Sequence, residues 1–400
     1  MDTDAFCAEE LQFYQRQLLL PEVGLEGQRA LKRARILVIG AGGLGSPVLL
    51  YLAAAGVGTL GIVEHDHVDR SNLHRQILFD VQGIGQPKAG QARQRLQALN
   101  PHVNVVVHGC KLESHNARTL VQGYDVVVDA TDNFRARYLI NEACVREGKP
   151  NVSASILRFE GQLSVFVPGE GPCYQCLFPQ APPPHLAPSC AEAGVLGVLP
   201  GAIGTLQALE AIKLAMGLPS SLVGKLLSFD AMAMRFKTLE IARDAACPVC
   251  GGVQAARAQV TAAPAAKAEV RSLGCEALAG WLSASAAQPQ QPWLLDVRRE
   301  AEYRQGHVEG ATLVPLDQLA GSVHTIPRGR PVVCICQKGV RSRIAAQMLV
   351  ELGFAEVYSL EGGMDAWESA VEADDDPRQP ACGACESCAS EAMACPSGAA

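Results

Sequence analysis

Two cysteine pairs, Cys173 and Cys176 in CYQC and Cys247 and Cys250 in CPVC, supply four thiolates at a spacing that suits a closed tetrahedral Zn²⁺ site. Such a shell leaves no open catalytic position, so the expected role is structural; redox exchange and simple core packing are the competing roles. A further cysteine, Cys336, ends the apolar run VVCIC and opens CQKGVRSR. Gly339 permits a tight loop there, in which amide N–H groups converge before a helix starting near Ser342. That cradle, with Arg341, is expected to lower the thiol pKa from ~8.5 and keep a thiolate or persulfide available near neutrality. Cys334, two residues earlier, has no such cradle and reads as core.

A third constellation lies upstream. Gly40-Ala41-Gly42-Gly43-Leu44-Gly45 matches GxGxxG between a strand and a helix, where backbone amides and a helix N-terminus can face phosphates. Glu64, ending the next strand, stands where an acidic residue can bind ribose hydroxyls, which fits NAD or ATP. Asp66, the SNLHRQ segment with Ser71, Asn72 and Arg75, then Lys88, and the TDN segment with Asp132 and Asn133 separate these cases. A dinucleotide needs no such basic array. Transfer from a triphosphate needs cations for the charge migrating onto pyrophosphate and an acidic residue for Mg²⁺.

These residues require scaffolds. ARILVIG reads as a buried parallel strand, SPVLLYLAAAG as a helix and TLGIVEHD as the next strand; VNVVVHG, YDVVVDATDN and the helix candidate KAGQARQRLQAL extend the alternation. The result is a doubly wound α/β sheet. Ile36 to Val63 carries no charge and is long enough to imitate a membrane span, but seven glycines and Pro47 favour strand, turn, helix and strand. After an Ala-rich linker at 253–271, a second alternation follows: a helix around CEALAGWL, the strand PWLLDV, the segment HVEGATLVPL, the strand VVCIC, the helix RSRIAAQMLVELG and the strand VYSLEGG. The expected boundaries are therefore 1–252, 272–370 and a tail at 371–400. In that tail Cys382, Cys385, Cys388 and Cys395 can bind soft metal or pass sulfur, while the small-residue composition favours disorder.

Four hundred residues with 48% hydrophobic content suffice for two cores. A net charge of -7 argues against a general nucleic-acid or anionic-membrane binder and favours a small-molecule or protein partner. The acidic start MDTDAFCAEE lacks the basic and apolar regions of a secretory signal, so the cysteines are expected in the cytoplasm as free thiols or metal ligands. Cys7, Cys110, Cys144 and Cys275 read as packing or surface residues.

VIGAGGLGSP, HDHVDRSNLHRQ, GQPKAGQA and DATDNFRAR resemble the MoeB/ThiF group of the ubiquitin-activating-enzyme superfamily over nearly all of residues 10–252. The resemblance implies a Rossmann-like adenylation domain with a structural zinc site. It also implies binding of ATP and Mg²⁺ by Gly43, Glu64, Ser71, Asn72, Arg75, Lys88, Asp132 and Asn133, around the loop glycines Gly40, Gly42 and Gly45 and with Asp66 nearby. Arg16 in FYQRQ matches an arginine that reaches a partner subunit's ATP, which implies a homodimer. Glu64 departs from the family's usual Asp, which bears on geometry more than on role. Cys190 matches a crossover-loop cysteine that in some relatives links covalently to the carrier; small core residue is the alternative.

LLDVRREAEYRQGHVEGATLVP and LEGGMDAW resemble the rhodanese sulfurtransferases over most of residues 270–370. That implies a small α/β domain in which Cys336 carries a persulfide, with Arg341 and the loop amides as anion support. Dual-specificity phosphatases place one more residue between cysteine and arginine than the four found here. Together the resemblances imply adenylylation of the C-terminal glycine of a ubiquitin-like sulfur carrier ending in Gly-Gly, then sulfur delivery to form a thiocarboxylate. The implied donor is a cysteine desulfurase or thiosulfate. A second domain that only docks a donor, and a NAD-dependent enzyme, are the alternatives; Cys336 with Arg341 disfavours the first, and Arg75 with Lys88 the second.

Overall fold

The computed structural model describes residues 5–182, 194–251, 270–284 and 291–374. These form two compact units, one built on an eight-stranded and one on a five-stranded sheet.

The first unit begins with helices α1 (Ala8–Leu18) and α2 (Gly24–Arg33), then alternates β1 (Arg35–Ile39), α3 (Gly45–Ala55), β2 (Thr59–Val63), α4 (Lys88–Leu99), β3 (Asn104–His108), α5 (Ala117–Gln122), β4 (Val126–Asp129), α6 (Phe134–Glu147) and β5 (Asn151–Leu157). It continues through β6 (Glu160–Phe166), α7 (Tyr174–Leu177), α8 (Val198–Ala215), β7 (Lys225–Asp230) and β8 (Arg235–Glu240). Strand order is β3-β2-β1-β4-β5-β6-β7-β8; the first five strands are parallel and the last three pair antiparallel.

The parallel half follows from the apolar runs. In β1, Ile36 and Val38 face a core shared with Leu49 and Leu52 of α3 and Ile203 and Ala211 of α8, while Leu37 and Ile39 join Val127 and Ile140 on the other face. Alternate side chains of a strand point to opposite faces, so a strand covered by helices on both is apolar throughout. The charge-free segment Ile36–Val63 is thus β1, the glycine turn, α3 and β2.

The parallel alternation ends at β5 because two short connections replace crossovers. Arg158 at φ 54° turns the chain from β5 into β6, and Met234 at φ 49° lies between β7 and β8. A turn this short can join only antiparallel neighbours. The sequence-based expectation of a doubly wound sheet therefore holds for β1–β5 and is extended by an antiparallel half. Helix α8 is apolar and long enough to cross a membrane by length and composition. Half of it is buried in this unit, and its Gln207 Nε2 donates to the carbonyls of Asp129 at 2.6 Å and Val152 at 2.8 Å.

The C-terminal part of the chain contains β9 (Arg271–Leu273), α9 (Cys275–Ala284), β10 (Trp293–Asp296), α10 (Glu300–Gln305), β11 (Thr312–Leu313), α11 (Leu319–Ser322), β12 (Val332–Ile335), α12 (Val340–Glu351), β13 (Val357–Leu360) and α13 (Gly363–Asp374); all but α11 and the end of α12 belong to the second unit. Its sheet is parallel throughout, ordered β11-β10-β12-β13-β9, over a core that includes Leu278, Leu294, Val333, Ile335, Leu360 and Met364. Strand β12 at the centre is fully buried, and its last residue, Ile335, delivers the chain directly to Cys336.

Candidate functional sites

The loop from β1 to α3 is built so that only glycine fits its two ends. Gly40 has φ +95°, and a Cβ there would lie 2.9 Å from the Ala130 carbonyl oxygen. At Gly45 a Cβ would lie 2.0 Å from the carbonyl oxygen of Gly40. Gly42 meets only the end of the Gln76 side chain, at 3.7 Å. Its open side faces a cavity of about 580 Å³.

That cavity is lined by Gly40, Gly42, Gly43, Glu64, Asp66, Asn72, Arg75, Lys88, Asp132 and Asn133, all singled out from the sequence. Gly45 lies behind the loop. Ser71 stands off the lining, its backbone N–H donating to Asp69 Oδ1 at 2.8 Å. Arg16 is exposed on α1, outside the lining. Cys190 falls outside the described residues, as do residues 253–269 of the expected linker and the tail cysteines.

Charge in the cavity is partly spoken for. Lys88, 5% exposed, reaches Asp66 Oδ2 at 3.3 Å, and Arg75 donates to Asn72 Oδ1 at 2.6 Å. Glu64 accepts the amides of Ala41 at 3.0 Å, His65 at 2.8 Å and Asp66 at 2.9 Å, so its longer side chain is fixed by backbone N–H groups. Carboxylates offer about four acceptor positions, so one remains for a ligand hydroxyl. Asp132 is exposed at the lining, and the neighbouring Asn133 caps α6 by accepting the Ala136 amide at 2.9 Å.

Sequence reasoning passed over the support beneath this site. Asp129, fully buried at the end of β4, accepts from Thr131 Oγ1 at 2.6 Å and Ser153 Oγ at 3.1 Å. Burial pushes its carboxyl pKa up, against the pull of Arg137, Thr131 and Ser153. Arg137 donates to the Thr131 carbonyl at 3.1 Å, fixing the chain just before Asp132. The first acid of DATD, at a strand end, was the available signal.

The four expected metal cysteines converge, with ligand atoms within 4.8 Å of one another. Sγ separations are 4.0 Å for Cys173–Cys176, 3.7 Å for Cys173–Cys247 and 3.4 Å for Cys176–Cys250. A tetrahedron with zinc–sulfur bonds of about 2.3 Å has edges of about 3.8 Å, so the set fits zinc. Asn141 of α6 supports it, donating to Cys173 Sγ at 3.6 Å and accepting the Tyr174 amide at 2.9 Å. Burial pushes the Cys173 and Cys250 thiols up, while at Cys247 burial is outweighed by hydrogen bonds from the Cys250 and Val249 amides, which pull the thiol down, so it is ionising Cys173 and Cys250 that calls for a bound cation.

In the second unit Cys336 is 1% exposed, and its Sγ accepts the Gly339 amide at 3.2 Å and lies 3.4 Å from Ser342 Oγ. Gly339 at φ +85° turns that amide inward. The helix behind it, α12, starts at Val340, ahead of the expected start near Ser342. The start of α13 holds the loop from outside: the amides of Met364 and Asp365 donate to the carbonyls of Cys336 at 2.8 Å and Gln337 at 3.1 Å. Only glycine fits at 363, where φ is +63° and a Cβ would lie 2.2 Å from the Cys336 carbonyl oxygen. Cys334 is buried in β12, where desolvation drives its thiol pKa far up, consistent with a core role.

The side chains around the loop are anchored away from the sulfur. Arg298, buried against Asp296 at 2.8 Å, donates to Gln337 Oε1 at 2.9 Å, and Gln337 Nε2 donates to Asp365 Oδ1 at 2.5 Å. Arg341 makes a bidentate pair with Glu302, at 2.6 Å and 2.9 Å. That pairing holds the Glu302 carboxyl down at about 2. Glu302 was not foreseen, although it lies in the EAEY stretch that carried the rhodanese resemblance.

The ThiF family model matches residues 14–249 and the rhodanese-like domain model residues 278–370. The chain belongs to the ThiF family, with a rhodanese-like domain following. It is an enzyme of the adenylyltransferase and sulfurtransferase class. A probable adenylyltransferase/sulfurtransferase, MoeZ of Mycobacterium tuberculosis, is 42% identical over 386 residues, covering 92% of this chain and 96% of that protein. The sulfur carrier protein adenylyltransferase of Thermus thermophilus is 54% identical over 248 residues, covering 61% of this chain and 92% of its own length. Among solved structures, E. coli MccB with ATP is 21% identical with a TM-score of 0.54, covering 60% of this chain and 74% of that chain; it shares the fold.

Proposed function

We propose that the first unit uses ATP to adenylylate the C-terminal glycine of a ubiquitin-like sulfur carrier ending in Gly-Gly, and that Cys336 of the second unit then delivers sulfur to form a thiocarboxylate. The observation that carries the first step is the gathering of Arg75, Lys88 and Asp132 in the cavity that the glycine loop opens into. A carboxylate is a poor electrophile. Attack of its oxygen on the α-phosphorus expels pyrophosphate and leaves an acyl-adenylate with AMP as leaving group. Arg75 and Lys88 would stabilise the charge passing to pyrophosphate. Asp132 would hold Mg²⁺, which supplies further neutralisation of the phosphates. Glu64 would orient the ribose, flanked by Asp66, and Asn72 would orient Arg75.

For the second step, the outer sulfur of a Cys336 persulfide attacks the acyl carbon and AMP leaves, giving an acyl-disulfide. A second thiol attacks that disulfide at the Cys336 sulfur, releasing the thiocarboxylate and forming a disulfide, which an external reductant reopens. Cys190 and the tail cysteines are the candidates for that thiol. The Gly339 amide and the start of α12 supply the anion support for the sulfur. We further propose a cytoplasmic homodimer in which Arg16 enters the partner subunit's cavity, and a cysteine desulfurase or thiosulfate as donor.

The test is ATP–pyrophosphate exchange together with mass spectrometry of the carrier. Exchange should require a glycine-ended carrier, and Cys336→Ala should stop thiocarboxylate formation while adenylate still forms. A Cys336→Ala enzyme that thiolates the carrier normally would favour the alternative in which the second domain only docks a donor.

A further inference from the structure

The Cys336 loop presents two cationic side chains, Lys338 and Arg341, and the structure treats them differently. Lys338 is exposed, whereas Arg341 is partly buried and held by both of its terminal nitrogens on Glu302. Each member of the pair is 30% exposed in its side chain, so the pair stands at the wall of the site, between solvent and interior. Glu302 is itself fixed: its Oε2 accepts the Arg299 amide at 3.0 Å in a capping box at the start of α10. The acid therefore reaches the arginine from a helix cap, with little rotamer freedom left to release it. A bidentate arginine–carboxylate pair leaves little of the guanidinium fork for a second anion.

We infer that Glu302 is a specificity-determining residue for sulfur loading, occupying Arg341 so that the mouth of the Cys336 site disfavours dianionic donors and favours monoanionic or neutral persulfides. The inference rests on the proposal that Cys336 is the sulfur acceptor. Both donor classes react through one step. The Cys336 thiolate attacks the outer, sulfane sulfur, the donor S–S bond breaks, and its electron pair leaves with sulfite from thiosulfate or with a thiolate from a persulfide. The leaving group carries two negative charges in the first case and one in the second. A guanidinium free to meet the departing charge helps the first more. With Arg341 occupied by Glu302, the groups that remain at the sulfur are the Gly339 amide and the Ser342 hydroxyl, which serve both donors alike.

The experiment compares thiosulfate with a cysteine-persulfide donor as sulfur sources for the full-length protein and for Glu302→Gln, reading KM and kcat separately. Gln keeps an oxygen for the Arg299 amide, and circular dichroism checks the fold. The expected result is a fall in the thiosulfate KM of roughly fivefold, the scale of a partly exposed ion pair, with the persulfide KM unchanged. Glu302→Asp should return the KM toward the parent value. The gain should vanish in Glu302→Gln combined with Arg341→Gln. A folded Glu302→Gln protein whose thiosulfate KM is unchanged or raised, or which gains equally for both donors, overturns the inference. Failure of the underlying proposal looks different: Cys336→Ala would then keep its thiosulfate activity.

Discussion

The cavity of the first unit is lined by segments scattered from Ile39 to Pro182, whereas the Cys336 site is one run of consecutive residues between β12 and α12. The two also differ in how charge is held. In the first, Lys88 and Arg75 line the cavity, and neither is tied to a carboxylate through a bidentate pair: Lys88 reaches Asp66 through one oxygen, and Arg75 meets the neutral groups of Asn72, His74 and the Ser71 carbonyl. In the second, the sulfur is met by the Gly339 amide and the Ser342 hydroxyl, and Arg341 is already paired with Glu302. A multiply charged ligand needs cations gathered from segments well apart in the chain, here Arg75 and the first residue of α4, Lys88, while a single sulfur needs only a rigid pocket that one loop can form.

The largest effects should separate the two sites cleanly. Asp132→Ala is expected to cut ATP–pyrophosphate exchange by on the order of 10³-fold and to leave thiosulfate-to-cyanide transfer intact. Cys336→Ala should do the reverse. Paired assays on both variants check this, and loss of both activities in a folded Asp132→Ala protein would contradict the assignment of separate sites.

Next in size is the zinc site, which tests whether the first unit depends on metal in a way the second does not. Cys173→Ser or Cys247→Ser should lose one zinc per chain by metal analysis and lower the melting temperature of the first unit by about 10 °C. Unchanged zinc and stability would mean that the four-cysteine cluster is only packed sulfur. The glycine loop should respond more locally. Gly45→Ala puts a methyl against the Gly40 carbonyl and should cost about 3 kcal/mol, measured by denaturant unfolding. Gly42→Ala should cost little stability and act on nucleotide affinity, because its added methyl enters the cavity.

How much of this was legible follows from the same contrast. The alternation β1-α3-β2, helix α4 and the loop at Cys336 were readable because period, glycine and cysteine lie within a few residues of one another. The antiparallel half was not, since its first turn uses Arg158 at positive φ, where no glycine announces it. Cavity residues could be nominated one by one as strand ends, yet their support could not: Asp129 meets Ser153 across 24 residues, and Glu302 meets Arg341 across 39. Such pairings are set by sheet order, which spacing alone does not encode.

The smallest effect concerns that last pair and would sharpen the contrast between paired and free charge. Arg341 holds the Glu302 carboxyl at about 2, below its ordinary 4.5. A depressed carboxylate contributes stability that is fully present above the unfolded value and is lost as protons bind on the way down. The window is therefore pH 4.5 to 2. Because both side chains are partly solvated, the contribution is expected to be no more than about 1 kcal/mol. Unfolding curves of the parent and of Glu302→Gln, compared across that window, should converge as pH falls, since the neutral amide has no proton to bind. A stability gap that stays constant down to pH 2 would show that the charge on Glu302 contributes nothing through Arg341, and that the arginine is less firmly held than its two hydrogen bonds imply.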